Sequence, residues 1–426
     1  MKMKTDIVIA GCGVGGLYCA LNLPRDKKII MVTKDDAERS DSFLAQGGIC
    51  VLKNEDDYDS YFEDTMRAGH YENNKQSVDI MIRSSQDVIR DLVGYGVRFE
   101  KKDGEFVYTK EGAHSTPRIL FHEDITGKEI TSHLLEAVRK LDNVTLIEHF
   151  TMVDIIEKNN ECFGIIGHDA EGKYMSITAD YTVLGTGGIG GLYKHSTNYK
   201  HLTGDSLAIA LNHGIKLQNI DYIQIHPTTL YSTKKGRRFL ISESVRGEGA
   251  VLFNSHMQRF VDELLPRDVV AKAIYEEMEK DNKPYVWLSM KPIPTEMIKS
   301  HFPNIYKHCL EEGYDVTEEC IPVVPSQHYF MGGIDVDEHS KTSMNRLYAV
   351  GETACNGVHG KNRLASNSLL ESIVFAKRAA KQITDTYTEA NYSEEISIDK
   401  KAYKNYEDKY KKAVLAEIEK ERKEHE

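Results

Sequence analysis

The sequence has no surplus of positive charge: 54 lysines and arginines face 66 acidic residues, for a net charge of −12. Bulk electrostatic attraction to nucleic acid is therefore absent. Paired cysteines are missing too. The seven stand at 12, 19, 50, 162, 309, 320 and 355, with no CxxC among them, so zinc and iron–sulfur motifs are not supported and no metal is expected. An odd, dispersed set fits a reducing, cytoplasmic setting, with the thiols as small buried hydrophobes. No apolar run is long enough to cross a bilayer, so no membrane partner is expected. The stretch 7–23 behind Lys2 and Lys4 resembles a secretion signal only in outline: Asp6 opens it, and Gly11, Gly13, Gly15 and Gly16 interrupt it where a signal helix is most apolar. The first 380 residues contain no internal repeat and no low-complexity linker.

What is present reads as an ordinary globular chain, 40% apolar and 28% charged, with 426 residues that suit more than one domain. Ile7-Val8-Ile9-Ala10 is a short buried-strand run, 11–16 a glycine turn, 17–23 a helix and 28–33 a second buried strand. That order is the opening βαβ unit of a doubly wound sheet. Apolar positions 78, 81, 82, 88, 89, 92 and 93 predict a helix over 77–93. Another is predicted from about Asp268, after Pro266, to about Lys280. Residues 181–191 read as a strand running into a glycine turn, and 347–351 as a late buried strand. In the 46 residues after Ala380 the composition shifts to Lys, Glu and Tyr, and Tyr403, Tyr406, Tyr410, Val414 and Ile418 predict an amphipathic helix docked on the protein.

Gly11-Cys12-Gly13-Val14-Gly15-Gly16 is a GxGxxG turn between strand and helix. Its glycines let backbone N–H groups approach a pyrophosphate at a helix N-terminus, without separating FAD from NAD. The acid expected at the end of the second strand is not evident, because Lys34 stands there. Three further glycine-rich or strand-end segments narrow the cofactor: Ala45-Gln46-Gly47-Gly48, Leu184-Gly185-Thr186-Gly187-Gly188, and Leu347-Tyr348-Ala349-Val350-Gly351-Glu352. With the stretches 111–115, 203–205, 224–228, 243–249, 266–270, 328–333 and 359–371, the chain over about 5–380 resembles the succinate dehydrogenase/fumarate reductase flavoproteins, and among them the L-aspartate oxidase branch.

The resemblance implies an α/β fold: a Rossmann-like FAD-binding domain (1–220 and 329–385), an inserted α+β capping domain (221–328) and a short helical C-terminal tail (386–426). It implies FAD contacts at Gly11, Gly13, Gly16, Lys34, Ser42, Gln46, Gly47, Gly48, Asp205, Glu352, Ser368 and Leu369. Membrane-bound relatives carry a flavin-linked histidine at the position of Asp41, so the cofactor here is expected to be held without a covalent bond. Two substrate carboxylates call for cationic and hydrogen-bonding partners. The matching residues are His226, Ser242, Glu243, His328 and Arg363, with Arg267, His226 and His328 as the catalytic set. Arg246 reads equally well as an internal ion pair with Glu243 or Glu248. Glu111 and His114 are expected to favour an amino-acid substrate, Glu111 by receiving its ammonium. Ala113 stands where the family usually has glycine.

The expected activity is FAD-dependent oxidation of L-aspartate to iminoaspartate. Oxygen or fumarate would accept the electrons, and the product would pass toward quinolinate synthase and NAD synthesis. Arg267 requires a nearby carboxylate for any proton relay, since free arginine stays protonated. Two rivals stand beside this reading: a soluble fumarate reductase or succinate-oxidising flavoprotein, and a flavin carrier without turnover.

Overall fold

The computed structural model describes residues 2–392 and 396–425. Its centre is a five-stranded parallel sheet in the order Leu347–Ala349, Tyr181–Leu184, Ile7–Ala10, Ile29–Val32, Val144–Ile147. The inner strands are buried along their whole length, and apolar but for Thr182, because both faces are covered. The chain order reverses between Ile7–Ala10 and Tyr181–Leu184. The carboxyl ends of strands at such a reversal leave a crevice in which ligands bind.

One face of the sheet packs against helices Val14–Asn22, Lys75–Gly94, Thr126–Arg139 and Ser368–Asp385. The helix predicted over 77–93 is the second of these, capped at its start by Asn74, whose side chain accepts from the amides of Gln76 and Ser77. The other face is covered by a second sheet (Lys2–Lys4, Tyr174–Thr178, Glu161–His168, Thr151–Lys158), helix Asp205–Asn212 and the tail helix Tyr406–His425. That tail buries Tyr406, Tyr410, Val414 and Ile418 along one stripe; Val414 and Ile418 each contribute roughly 1.5–3 kcal/mol by leaving water. Tyr403 lies before the helix, stacked on Tyr174 and bonded to Asp154. Among the described residues no helix is long and apolar enough to cross a membrane.

A third core is drawn from residues 230–323. It forms under an antiparallel sheet ordered Ile223–Leu230, Ile321–Phe330, Val286–Ser289, Val251–Phe253. Helix Arg267–Asp281 packs on this sheet and starts directly after Pro266, whose fixed φ suits a helix entrance. The first two strands of the sheet run between this core and the parallel sheet, so His226 and His328 project at the junction.

Candidate active site

The glycine turn is a close-packed object before it is a ligand site. Gly11 has φ 118°, and a Cβ there would lie 1.9 Å from the carbonyl oxygen of Gly185 at the end of the neighbouring strand. Only glycine brings the two strand ends together. Gly16 seats the first helix against this turn, its virtual Cβ 2.1 Å from Gly11 O, and does not itself line the cavity. The amide of Val14 donates to Ser42 Oγ (3.1 Å), which ties the helix start to the loop over it.

A cavity of about 330 Å³ opens at the strand reversal. Gly11, Gly13, Lys34, Ser42, Gln46, Gly47, Gly48, Asp205, Glu352, Ser368 and Leu369 all line it. At one end Lys34 Nζ meets Asp205 Oδ2 at 2.7 Å and Thr203 Oγ1 at 3.1 Å. Further in, Ser40 Oγ, Asp41 Oδ2 and Gln46 Oε1 are buried without partners. A buried polar atom left so costs free energy unless a ligand answers it. The bare backbone and these unanswered atoms fit an elongated polar dinucleotide such as FAD. Asp41 also accepts from the Tyr199 amide (3.0 Å). Burial pushes Asp41 up to about 7, and burial with the neighbouring Asp41 carboxylate pushes Glu352 up to about 8.

The other end is made of charged side chains. His226 and His328 come from adjacent strands, their rings 5.1 Å apart and edge to face. His226 Nδ1 accepts from the Thr228 amide (3.1 Å), so the proton of the neutral ring sits on Nε2, which is buried and has no partner. Burial first, then Arg267, holds His226 well below the ordinary histidine value. His328 is lowered in the same way and bonds Thr197 Oγ1 through Nδ1 (2.7 Å).

Arg267 donates through Nε to Glu243 Oε2 (2.5 Å) and through Nη1 to Gln224 Oε1 (2.9 Å). Arg246 reaches the same Glu243 oxygen at 3.4 Å and bonds the carbonyl of Glu263. It is buried away from the cavity, so the internal ion pair is the reading the structure favours. Burial works to raise the Glu243 carboxyl, but Arg267 and Arg246 hold it below its ordinary value. Glu243, expected from the sequence as a substrate contact, is therefore the carboxylate paired with Arg267. Ser242 caps its short helix, accepting from the Ser244 amide (3.3 Å), and lines the cavity. Sequence reasoning missed Gln224. It sits two residues before His226 on one strand, hence on the same face, and it donates to Asn362 Oδ1 and to the Arg363 carbonyl.

Arg363 is 4% exposed. It donates to Ser368 Oγ (3.1 Å) and lies 4.4 Å over the Tyr329 ring, with Nε unpartnered. Among the described residues no carboxylate lies within ion-pairing distance of it. Burial, and then repulsion from Arg267, pushes its pKa down to about 10. Glu111 receives hydroxyl bonds from Ser244 (2.8 Å) and Ser366 (2.5 Å), and faces Gly47, where a Cβ would come within 2.5 Å of its Oε1. Burial, followed by the proximity of Glu243, raises its pKa. His114 does not reach the cavity. Its Nε2 is on the Ala365 carbonyl (3.1 Å) and its Nδ1 on Arg118 (3.2 Å), so both ring nitrogens are used in packing below the Glu111 loop. Ala113 beside it has φ 64°, which explains the family's glycine.

A glycine-walled dinucleotide crevice leading to a pair of histidines and two arginines defines a flavoprotein oxidoreductase. Residues 6–369 match the family model described as FAD binding domain, and FAD is the cofactor. L-Aspartate oxidase from Clostridium perfringens is 52% identical over 384 residues, covering 90% of this chain and 87% of that protein. The Clostridium acetobutylicum L-aspartate oxidase is 50% identical, with coverages of 90% and 88%. The E. coli quinol fumarate reductase superposes with a TM-score of 0.86 at 27% identity, over 99% of this chain and 74% of that one. The chain belongs to the L-aspartate oxidase family of FAD-binding proteins.

Proposed function

We propose that this chain oxidises L-aspartate to iminoaspartate with non-covalently held FAD, using oxygen or fumarate as acceptor, in the cytoplasmic route to quinolinate and NAD. The observation that carries this reading is Arg363. A buried guanidinium without a counter-ion costs several kcal/mol, and here it lines the same cavity as His226, whose Nε2–H is unpartnered. Both want an anionic oxygen, and a substrate carboxylate supplies it. His328 and Ser242 complete a dicarboxylate clamp, while Glu111 receives the ammonium. Segment 221–328 acts as the cap that brings Arg267 and His226 to the FAD-binding part. Asp41 cannot form the histidyl link, so the flavin stays dissociable.

Oxidation to the imine removes a hydride equivalent from Cα and a proton from the ammonium; bound FAD supplies the hydride acceptor. Arg363 and His226 fix the carboxylates and thereby orient Cα. Arg267 would accept the departing proton at a terminal guanidinium nitrogen in concert with passing its Nε proton to Glu243 Oε2, so the guanidinium keeps its charge and the proton comes to rest on Glu243. Gln224 holds Arg267 at the angle this requires, and Arg246 keeps Glu243 anionic beforehand.

The resemblance to a fumarate reductase favours a second reading, in which succinate and fumarate are the working pair. Anaerobic mixing with aspartate, succinate and glutamate, followed at the flavin absorbance, separates the two. Rapid bleaching by aspartate with slow or no bleaching by succinate is expected. The reverse order would assign the chain to succinate and fumarate.

A further inference from the structure

Three side chains meet away from the cavity and take no part in the chemistry above. Glu421 and His425 stand one turn apart on the tail helix Tyr406–His425, so both project from one face. Asp221 lies two residues before the strand Ile223–Leu230. His425 Nδ1 is 3.0 Å from Asp221 Oδ2, and one ligand-capable atom from each of the three residues lies within 4.8 Å of the others. Glu421 is itself positioned, its Oε2 accepting from the Ile220 amide (2.7 Å).

A histidine–aspartate ion pair accounts for only part of this. The Asp221 side chain is 9% exposed, and its Oδ1 is buried with no hydrogen-bond partner. A carboxylate oxygen shut away from water without a donor is costly, and a cation answers it where a single imidazole N–H bonded to Oδ2 does not. Charge points the same way: Asp221, Glu421 and the nearby Glu72, which accepts from the Tyr222 hydroxyl, outweigh the single Lys361 close by.

We propose that Asp221, Glu421 and His425 form a binding site for a divalent transition metal of the zinc class. One imidazole nitrogen with two carboxylates suits zinc better than calcium or magnesium, which prefer all-oxygen shells, and water would complete the coordination. No metal motif is legible in the sequence because 200 residues separate Asp221 from Glu421; the fold brings them together. A second His–carboxylate cluster among the described residues, Asp35, Asp36 and His149, has no unpartnered buried oxygen and serves as a control. A metal at Asp221 would clasp the tail helix to the chain next to Tyr222, immediately ahead of the strand that carries Gln224 and His226.

The flavin-loaded protein, dialysed against a chelator, is titrated with zinc and separately with calcium by calorimetry. One zinc per chain is expected, with calcium binding far weaker. Asp221→Asn and His425→Ala should each weaken zinc binding roughly a hundredfold or more, and Asp36→Asn should leave it unchanged. Zinc should raise the thermal midpoint of the wild type and not of His425→Ala. Because Asp221→Asn can loosen the tail, His425→Ala, at a side chain 37% exposed, is the decisive variant. Absence of stoichiometric binding, or binding that survives His425→Ala, would overturn the site. A midpoint lowered by His425→Ala but unresponsive to zinc in the wild type would reduce the cluster to an ion pair.

Discussion

Arg118 and Arg363 are both buried, at 0% and 4% exposure, and their surroundings are opposite. Arg118 is saturated: Asp57 and Asp64 take its charge at 3.0 and 2.7 Å, Ser60 and Thr116 also accept from Nη2, and His114 Nδ1 meets Nη1. Arg363 has a serine, an aromatic face and, among the described residues, no carboxylate within ion-pairing distance. A buried charge whose partners are all supplied by the chain is architecture; one whose partner is withheld is a place for a ligand. Arg118 fixes the loop bearing Glu111 and His114 from below, and Arg363 faces the cavity from the other side.

The comparison is sharpest in stability. Arg118→Met leaves the buried Asp57 without its cation and Asp64 with only the half-exposed Arg67, and should cost about 3–5 kcal/mol, read as a large fall in the denaturant midpoint. Arg363→Met removes a charge that has no counter-ion, so the midpoint should stay the same or rise. If the two variants lost stability equally, Arg363 would be structural too.

Next in size is Glu111, whose two serine donors keep it ready for a cation. Glu111→Gln preserves shape and removes charge. Aspartate-driven flavin reduction should fall by roughly ten- to a hundredfold, the worth of an ionic hydrogen bond of about 1.5–3 kcal/mol. Reoxidation by fumarate, which has no ammonium, should be nearly unchanged. Equal losses in both half-reactions would make Glu111 a support for the loop.

The smallest expected effect concerns Asp41 and Glu352 on the cofactor side. Their folded pKa values, about 7 and about 8, lie above ordinary carboxylate values. The neutral forms are therefore favoured in the fold, and their contribution is fully present only below the ordinary carboxylate range and lost as pH rises toward 8. The flavin-free protein should melt at progressively lower temperature across that window, and Asp41→Asn should flatten part of the slope. A slope unaffected by the substitution would place the titration elsewhere.

The parts of the site readable from the sequence were those set by local backbone demands. The glycine turn announces itself because any side chain at position 11 would place its Cβ 1.9 Å from the Gly185 carbonyl oxygen. The tail helix was legible from the spacing of Tyr403, Tyr406, Tyr410, Val414 and Ile418, although Tyr403 falls just before the helix begins. Partnerships across the chain were not: Lys34 with Asp205, or Glu243 with Arg267, depend on how the elements pack, whereas the Arg246–Glu243 pair, three residues apart, was among the readings the sequence offered. His114 shows the limit of carrying a motif over whole, since its neighbour Glu111 reaches the cavity while its own ring is spent on Arg118 and Ala365. Gln224 could have been found from strand periodicity, as it shares a face with His226.

The central claim is that the substrate completes Arg363. It is tested most directly by titrating succinate, a dicarboxylate without an ammonium group, into the oxidised flavin-loaded protein and following the perturbation of the flavin spectrum in wild type and Arg363→Met. Losing a buried charge partner of this kind is worth about 2–5 kcal/mol, so the variant should bind roughly thirty- to several-thousandfold more weakly while its flavin content and melting temperature hold. Unchanged succinate affinity in a folded, flavin-loaded Arg363→Met protein would contradict the account.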